Sequence, residues 1–236
     1  MPLSPSNIDW TDKVWNPITG CTPISMGCAN CYAMALIGTR LRHMPKYANG
    51  STVTCHSNLL NAPLGCAGPA KVFVNSMSDA FHSSVPLAFL TQMFAVMGRA
   101  HWLTFQILTK RADRLAALAP HLTWHPNIWM GVTVEHHSYL NRLALLKTVP
   151  AAVRFVSFEP LLSPMPGLNL QGVHWVIVGG ETGNGARQMQ EDWARDIRDT
   201  CINQGVPFFY KQRGSYPKKR GKGGNTLDGV VWHQYP

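Results

Sequence analysis

The stretch LTFQILTKRADRLAAL at residues 103–118 contains the repeating unit from which the fold can be predicted. Residues 103–108 are mostly apolar or β-branched, which is typical of a parallel strand buried on both faces. Thr109, Lys110 and Arg111 then end this strand. Residues 111–118 place leucine and alanine at helical spacing. The stretch therefore predicts one strand followed by one helix.

Six other apolar runs have the same character and also stop at polar residues. The predicted strands are 14–18, 71–75, 103–108, 128–132, 153–158, 173–178 and 206–209. Helical periodicity predicts helices at 86–99, 111–118, 139–146 and 191–204. Because strands alternate with helices, we expect an α/β fold with a parallel sheet, forming a full or partial (β/α) barrel of about six units.

The length of 236 residues and the hydrophobic content of 45% predict a single domain, 1–236, with a substantial core. Residues 40–68 fit no βα unit, since they contain Pro45, Pro63 and three glycines, and are predicted to be an insertion. No segment has the pattern of a signal peptide or a membrane span. We therefore expect a cytoplasmic protein with reduced cysteines and no membrane partner.

The sequence CTPISMGCANC at residues 21–31 predicts a metal site. Cys21, Cys28 and Cys31 are spaced C-x6-C-x2-C, with no fourth cysteine nearby. Three thiolates can bind three irons of a [4Fe-4S] cluster and leave the fourth iron open, or can bind zinc with one further ligand. Cys55 or Cys66 would supply that fourth zinc ligand. Cys201 lies in a predicted helix and is expected to be a core residue.

Polar residues follow the predicted strands, and in a barrel these strand ends share the face on which active sites are built. Glu159 follows a nearly apolar strand and precedes a proline, so we expect it in the barrel mouth. Its alternative role is that of a structural partner for a lysine or arginine. Glu181 follows Gly179 and Gly180, whose lack of side chains would let the backbone approach a ligand, although an ordinary glycine turn is the alternative.

Two further strand ends carry charged residues with two interpretations each. Asp79 is either a site residue or the N-cap of a helix that starts near Ala80. Lys110 and Arg111 are either phosphate ligands or the solvated start of a helix.

The balance of charge favours an anionic partner. The chain carries 21 basic and 12 acidic residues, a formal charge of +9, as in many nucleic-acid-binding proteins. The biased segment from about 211 to 236 contains cations predicted to contact a phosphate backbone, with a solvated loop as the alternative. Lys110 and Arg111, at the end of the third predicted strand, are added to these cations. The predicted nucleic-acid ligands are therefore Lys110, Arg111, Lys211, Arg213, Lys218, Lys219, Arg220 and Lys222.

Several motifs resemble a known family. These motifs are WTD at 10–12, WNPITGC at 15–21, GCANCYA at 27–33, VFVNSMSD at 72–79 and QILTKR at 106–111. They are similar to those of the phage-associated three-cysteine family related to radical SAM enzymes. The resemblance extends from about residue 7 to residue 213.

The resemblance implies a partial (β/α)6-type barrel of the radical SAM kind, a [4Fe-4S] cluster on Cys21, Cys28 and Cys31, and S-adenosylmethionine on the fourth iron. It also implies an external electron donor. We expect Glu159 and Glu181 to be catalytic. The residues expected to contact S-adenosylmethionine are Tyr32, Asn75, Ser76, Ser157, Glu159, Gly179 and Gly180.

The chain departs from the common radical SAM pattern at three places. The first cysteine gap is six residues instead of three, and Asn30 stands where an aromatic residue usually precedes the last cysteine. A Gly-Gly-Glu motif that binds the methionine amine usually follows the second strand, but Gly179-Gly180-Glu181 follows the sixth predicted strand, so this role is not transferred to it. One branch of the phage family resembles an isomerase that converts an N-linked glycyl group on thymidine to a C-linked one in DNA. We therefore expect this reaction, in the host cytoplasm if the protein is phage-encoded. The alternatives are another radical SAM reaction on nucleic acid, such as a lesion lyase, and a zinc-stabilised binding module without catalysis.

Overall fold

The computed structural model describes residues 3–216 and 221–236 and contains a large, mostly parallel sheet. The strands are β1 (Ser4–Pro5), β2 (Lys13–Trp15), β3 (Ile18–Thr19), β4 (Thr54–Cys55), β5 (Ala70–Val74), β6 (Leu103–Thr109), β7 (Ile128–Thr133), β8 (Val153–Phe158), β9 (Trp175–Gly179), β10 (Phe208–Gln212), β11 (Thr226–Leu227) and β12 (Val230–Val231). Eight of them form one sheet in the order β1-β2-β5-β6-β7-β8-β9-β10. Only β1 is antiparallel to its neighbour in this sheet. Each of the seven predicted apolar runs therefore contributes a strand to this sheet, in chain order. The run 14–18 is divided, because only β2 joins the large sheet and β3 pairs with β4.

Five α-helices occur in the part of the chain that the structure describes. They are α1 (Tyr32–Gly38), α2 (Leu87–Arg99), α3 (Ala112–Leu118), α4 (Asn141–Lys147) and α5 (Glu191–Gln204). Four match the predicted helices within two residues at each end. The short helix α1, which follows Cys31 directly, was not predicted. None of the described helices is long and apolar enough to cross a lipid bilayer.

Residues 40–68 contain no long element. They hold β4, which pairs with β3, and the short 3-10 helices Pro45–Tyr47, Ser57–Leu59 and Ala62–Gly65. Further 3-10 turns are Met26–Cys28, Ala119–His121 and His137–Tyr139. The predicted irregular segment is thus tied to the strand that enters the cysteine region.

The two faces of the sheet are buried by different partners, as the alternation of side chains along each strand requires. One face packs against the helices through a large aliphatic and aromatic core. The concave face contains a second cluster of rings, including Trp10, Phe73, Phe155, Trp175 and Phe209. This second cluster fills the barrel where its strands begin.

The C-terminal tail completes this end of the barrel. The Tyr210 amide donates to the Trp232 carbonyl at 2.8 Å, and the Trp175 indole donates to the Gln234 carbonyl at 2.8 Å. The Tyr235 ring stacks on Trp175 with 5.3 Å between centroids. The predicted basic segment therefore ends in a hairpin, β11–β12, and an extended tail that covers the free edge of β10.

Candidate active site

The three predicted cluster ligands lie in one loop at the end of the barrel where the parallel strands end. We call residues 20–31 the cysteine loop. Gly20, which opens it, has a φ of +81°, and a Cβ there would be only 2.3 Å from the Thr52 carbonyl oxygen. Only glycine fits this entry. The loop ends at α1, and its contacts reach the segments that follow β5, β6, β7 and β9.

All three thiols of the cysteine loop are free and half-buried. Burial raises the pKa of Cys21, although the Arg111 guanidinium, whose Nη1 is 3.6 Å from the sulfur, opposes this shift. Burial also opposes ionisation of Cys28, but backbone hydrogen bonds and the charge of Lys110 together lower its pKa. A lowered thiol pKa favours the thiolate form that metals bind.

The other cysteines lie outside the cysteine loop, although Cys55 pairs with Ile18 just before it. Cys55 is in β4. Cys66 lies at the opposite end of the sheet, where its carbonyl accepts a hydrogen bond from the indole of Trp102, just before β6 begins. Cys201 is buried in α5, where burial raises its pKa to about 12. Within residues 3–216 and 221–236, no three His, Cys, Asp or Glu side chains surround a common point for a single ion. The zinc alternative therefore gains no support, whereas the ligands of a cubane bind different irons and need not converge on one point.

Asp79 and Arg111 connect the strand ends to the cysteine loop. Arg111 donates to an Asp79 carboxylate oxygen at 2.9 Å and to the Thr22 carbonyl at 2.8 Å. Asp79 also accepts from the Thr109 hydroxyl at 2.7 Å. The helix N-cap interpretation of Asp79 is wrong, because α2 begins at Leu87 after Pro86. Arg111, predicted to contact phosphate, is 12% exposed and engaged with Asp79 and Thr22.

Glu135 is a buried carboxylate that sequence reasoning did not select. It follows β7 and is fully buried. Its oxygens accept from the Gly27 amide at 3.2 Å, from the Ser25 hydroxyl and from Arg142 at 2.9 Å. A Cβ on Gly27 would lie 2.9 Å from the Glu135 Cγ, so glycine is required there. Its position directly after an apolar strand, like that of Glu159, was the available signal.

Glu181 links the segment after β9 to the cysteine loop. The Asn30 side-chain amide donates to Glu181 at 3.0 Å, and the Arg187 guanidinium donates to the same carboxylate at 2.8 and 2.5 Å. Arg187 also donates to the Met26 carbonyl at 3.0 Å. Burial opposes ionisation of Glu181, but the hydrogen bonds from Arg187 and Asn30 lower its pKa. The carboxylate is therefore charged and bound to the loop that carries the thiols.

The glycine pair before Glu181 lies against the chain itself. A Cβ on Gly180 would be 1.9 Å from the Arg213 carbonyl oxygen, and a Cβ on Gly179 would be 2.8 Å from the Gln212 amide nitrogen. The close approach predicted from the missing side chains thus occurs, but its partners are the last residue of β10 and the residue that follows it.

Glu159 occupies the barrel mouth beside β10. It accepts from Lys211 at 2.6 Å and from Gln212 at 2.8 Å. A register irregularity between Tyr210 and Gln212 brings both side chains to the same carboxylate. The structural alternative for Glu159, an ion pair with a lysine, is therefore present, and its side chain remains 23% exposed toward the mouth.

The cations predicted to bind nucleic acid in the C-terminal segment have carboxylate partners where they are described. Lys211 contacts Glu159, Arg213 contacts Glu191 at 2.5 Å, and Lys222 contacts Asp9 at 3.3 Å. Lys218, Lys219 and Arg220 lie outside the described residues.

Among the residues predicted to contact S-adenosylmethionine, two have polar atoms without a partner. Tyr32 donates to the Ser76 carbonyl at 2.7 Å. The Asn75 side-chain nitrogen and the Ser157 hydroxyl are buried with no partner among the described residues. Asn75 also has a φ of 60°, which is uncommon for a non-glycine residue. Unpaired buried polar groups need an explanation such as a ligand, so Asn75 and Ser157 fit contacts to S-adenosylmethionine. The three free thiols fit the ligands of a [4Fe-4S] cluster.

Comparisons with known proteins give the family from the sequence and the fold from solved structures. Residues 5–236 match the family described as "Protein of unknown function (DUF5131)". No curated protein matches the sequence. A solved structure of spore photoproduct lyase complexed with dinucleoside spore photoproduct has a TM-score of 0.53 and 13% identity, over 93% of this chain and 64% of that one.

A mutant of the lyase with bound AdoMet and dinucleoside spore photoproduct has a TM-score of 0.52 and 13% identity, over 93% of this chain and 64% of the other. The present chain thus spans just under two thirds of the length of these lyase structures. At this identity the likeness concerns the fold, and it confirms the predicted α/β partial barrel.

Proposed function

Because this chain belongs to the DUF5131 family, whose description states no activity, we propose from its site that it is a radical SAM enzyme acting on a modified pyrimidine in nucleic acid. The observation that carries the proposal is the cysteine loop. It places three free thiols at the strand ends of a partial barrel whose fold is similar to that of spore photoproduct lyase. We further propose that the chain acts as one domain and uses an external electron donor.

Cys21, Cys28 and Cys31 would hold a [4Fe-4S] cluster, and Asn75 and Ser157 would supply unpaired polar atoms to S-adenosylmethionine. When bound and reduced, such a cluster supplies the electron that cleaves S-adenosylmethionine to methionine and a 5′-deoxyadenosyl radical. Tyr32, Ser76, Glu159, Gly179 and Gly180 remain predicted contacts.

The chain's own residues would fix this arrangement before any substrate binds. Glu135, Glu181 and Arg111 each bind the cysteine loop from a different strand end. Charged hydrogen bonds in a buried setting hold their partners in defined positions. Reactions of radicals need such positioning and the exclusion of water. Glu159 would contact substrate or cofactor from the opposite side of the mouth.

A nucleic-acid substrate is supported by the net charge of +9 and by the substrate named in the lyase structures. A reacting base in a duplex would have to leave the stack to enter the barrel mouth. The finer proposal is isomerisation of N-linked to C-linked glycyl-thymidine, which rests on the resemblance of the sequence motifs. A lesion lyase is the second candidate, and it rests on the fold.

The experiment compares three oligonucleotides, one carrying N-linked glycyl-thymidine, one carrying spore photoproduct and one unmodified. Each is incubated anaerobically with reconstituted protein, reductant and S-adenosylmethionine. Because both candidate reactions conserve substrate mass, the products are identified by chromatography and fragment-ion mass spectrometry. Conversion of the first alone supports the isomerase, and conversion of the second alone supports the lyase. Conversion of neither, while S-adenosylmethionine is cleaved, would exclude both substrates.

A further inference from the structure

A cavity of about 440 Å³ lies beside the cysteine loop, over the segments that follow β5, β6 and β7. Its volume is within the range of ordinary ligand sites. The side chains that line it are Ile24, Phe81, Ser83, Lys110, Arg111, Asp113, Arg114, Tyr139, Asn141 and Arg142.

The polar lining of this cavity consists mostly of hydrogen-bond donors. It includes one ammonium and three guanidinium groups, together with the Ser83 hydroxyl and the Asn141 amide. Asp113 is the only acid among the lining residues. Such a set matches a ligand that has several acceptor oxygens and negative charge.

The four cations differ in how far their charge is compensated. Arg111 pairs with Asp79, and Arg142 pairs with Glu135. Arg114, in contrast, donates to the backbone carbonyls of His82 and Val85, which carry no net charge. The Lys110 ammonium has no hydrogen-bond or ion-pair partner within 3–216 and 221–236. Lys110 and Arg114 thus leave positive charge in the cavity, where the exposed Asp113 is the only acidic lining residue. Part of that charge also acts on neighbouring groups, since Lys110 favours the Cys28 thiolate and Arg114 is attracted by Asp79.

We propose that this cavity binds one phosphate group of the nucleic-acid backbone, next to the nucleotide that reacts. The inference rests on the proposed function for the identity of the anion. Ile24 belongs to the cysteine loop, so a phosphate in the cavity lies close to the site of chemistry. Contacts to phosphate fix the register of a nucleic acid without reading its sequence. The cavity therefore selects which nucleotide faces the barrel mouth.

The first test compares variants that change charge inside and outside the cavity. Lys110→Gln removes its uncompensated ammonium, and Lys147→Gln removes one cation near Asn169, outside the cavity. Binding of fluorescent oligothymidylate to reconstituted protein is measured at several salt concentrations. We expect Lys110→Gln to weaken binding about tenfold and to reduce the log-log salt slope by about one, as for one lost phosphate contact. Equal behaviour of the two variants would overturn the proposal.

A second variant should gain affinity, which misfolding cannot imitate. Asp113→Asn removes the only acid of the lining, and Asp196→Asn is the matched change on the exposed surface of α5. We expect Asp113→Asn to bind oligothymidylate several-fold more tightly than Asp196→Asn. An Asp113→Asn protein that binds no more tightly would contradict the proposal.

The source of the phosphate is tested with oligothymidylates in which one linkage at a time is a neutral methylphosphonate. A backbone site predicts that one linkage position weakens binding to the wild type and has no effect on Lys110→Gln. If inorganic phosphate competes but no single linkage matters, the cavity binds free phosphate and the backbone assignment is wrong. Cleavage of S-adenosylmethionine without nucleic acid is measured separately, so its failure refutes the proposed function and leaves these binding results interpretable.

Discussion

The two ends of the barrel are built from opposite kinds of residues. Where the strands begin, the rings of Trp10, Phe155 and Trp175 pack against one another and the C-terminal tail covers them. Where the strands end, buried carboxylates such as Glu135 and Glu181 bind arginines and the cysteine loop. We refer to these as the aromatic end and the cysteine end.

The aromatic end contributes mainly to stability, whereas the cysteine end carries the residues of the candidate site. Burial of rings contributes directly to folding, whereas taking charges out of water costs free energy that their pairing only partly returns. Unpaired polar atoms of Asn75 and Ser157 add to the cost at the cysteine end. The unpaired atoms are not confined to the cysteine end, since the Trp10 indole nitrogen at the aromatic end is also buried without a partner among the described residues. The buried ion pairs are what distinguishes the cysteine end, and they fit the proposed binding role.

The largest effect is expected at the aromatic end. Trp175→Ala removes a fully buried ring that contacts five other aromatic residues. We expect a loss of about 3–5 kcal/mol in the free energy of unfolding, measured with urea. Iron bound per folded chain should not change. Trp102→Ala, at a ring that is 36% exposed, is the control and should cost much less. A Trp175→Ala protein of normal stability would contradict the division between the two ends.

The next effect separates cofactor binding from stability. Gly27→Ala forces the cysteine loop away from the Glu135 carboxylate, because the new Cβ would lie 2.9 Å from its Cγ. We expect most of the iron to be lost after reconstitution, at a cost of about 1–3 kcal/mol in stability. Gly65→Ala is the control, since a Cβ there meets open space. Full iron content in Gly27→Ala would show that Glu135 does not position the loop.

A smaller effect is expected from Glu159→Gln. The change keeps the shape of the side chain but removes the charge that faces the mouth and Lys211. We expect at least roughly a tenfold slower cleavage of S-adenosylmethionine, about 1.4 kcal/mol, with normal iron content. Glu191→Gln, in the pair with Arg213 at the start of α5, should have no such effect. Normal cleavage by Glu159→Gln would reduce Glu159 to a structural counter-ion.

The smallest effect concerns pH. His82 is buried and its ring nitrogen lies 2.8 Å from the Thr22 hydroxyl, while its other nitrogen accepts from the Ser84 amide. Burial, and then the charge of Arg111, lower the pKa of His82. The unfolded chain therefore binds more protons than the folded one, and stability should fall as the pH drops below about 6.5. This loss of stability at low pH, followed by urea unfolding, should be smaller in His82→Gln than in the wild type. It should not vanish, because the pKa values of His56, His136 and His174 are lowered by burial as well. An equal loss in the two proteins would assign it to groups other than His82.

The sheet could be predicted from sequence because its strands are buried on both faces. The strand Trp175–Gly179, for example, is apolar and buried throughout, so its position is visible in the sequence alone. Helix α1 was missed because its sequence, YAMALIG, contains no charged residue and shows no polar face, unlike the equally short α3 and α4. The hairpin β11–β12 was missed because two-residue strands have no readable period, and the tail that pairs with β10 does so only through residues 232–234.

The site was predictable only where a local pattern carries it. Three cysteines at close spacing indicate a metal site, and a glutamate after an apolar strand indicates a residue at the barrel mouth. The contacts of Arg187 with Met26 and of Glu135 with Gly27 join residues more than a hundred positions apart. The contact of Arg187 with Glu181 is local but follows no recognisable motif. Such pairs depend on how the loops cross the barrel, which strand periodicity does not specify.

The account is tested most directly by one measurement on anaerobically reconstituted protein, the formation of 5′-deoxyadenosine from S-adenosylmethionine and a reductant, with iron counted in the same samples. We predict about four irons per chain and steady formation of 5′-deoxyadenosine in the wild type and in Cys55→Ala. Both should be lost in Cys21→Ala, Cys28→Ala and Cys31→Ala. Bound zinc in place of iron, or 5′-deoxyadenosine formed equally well by the three cysteine-loop variants, would contradict the account.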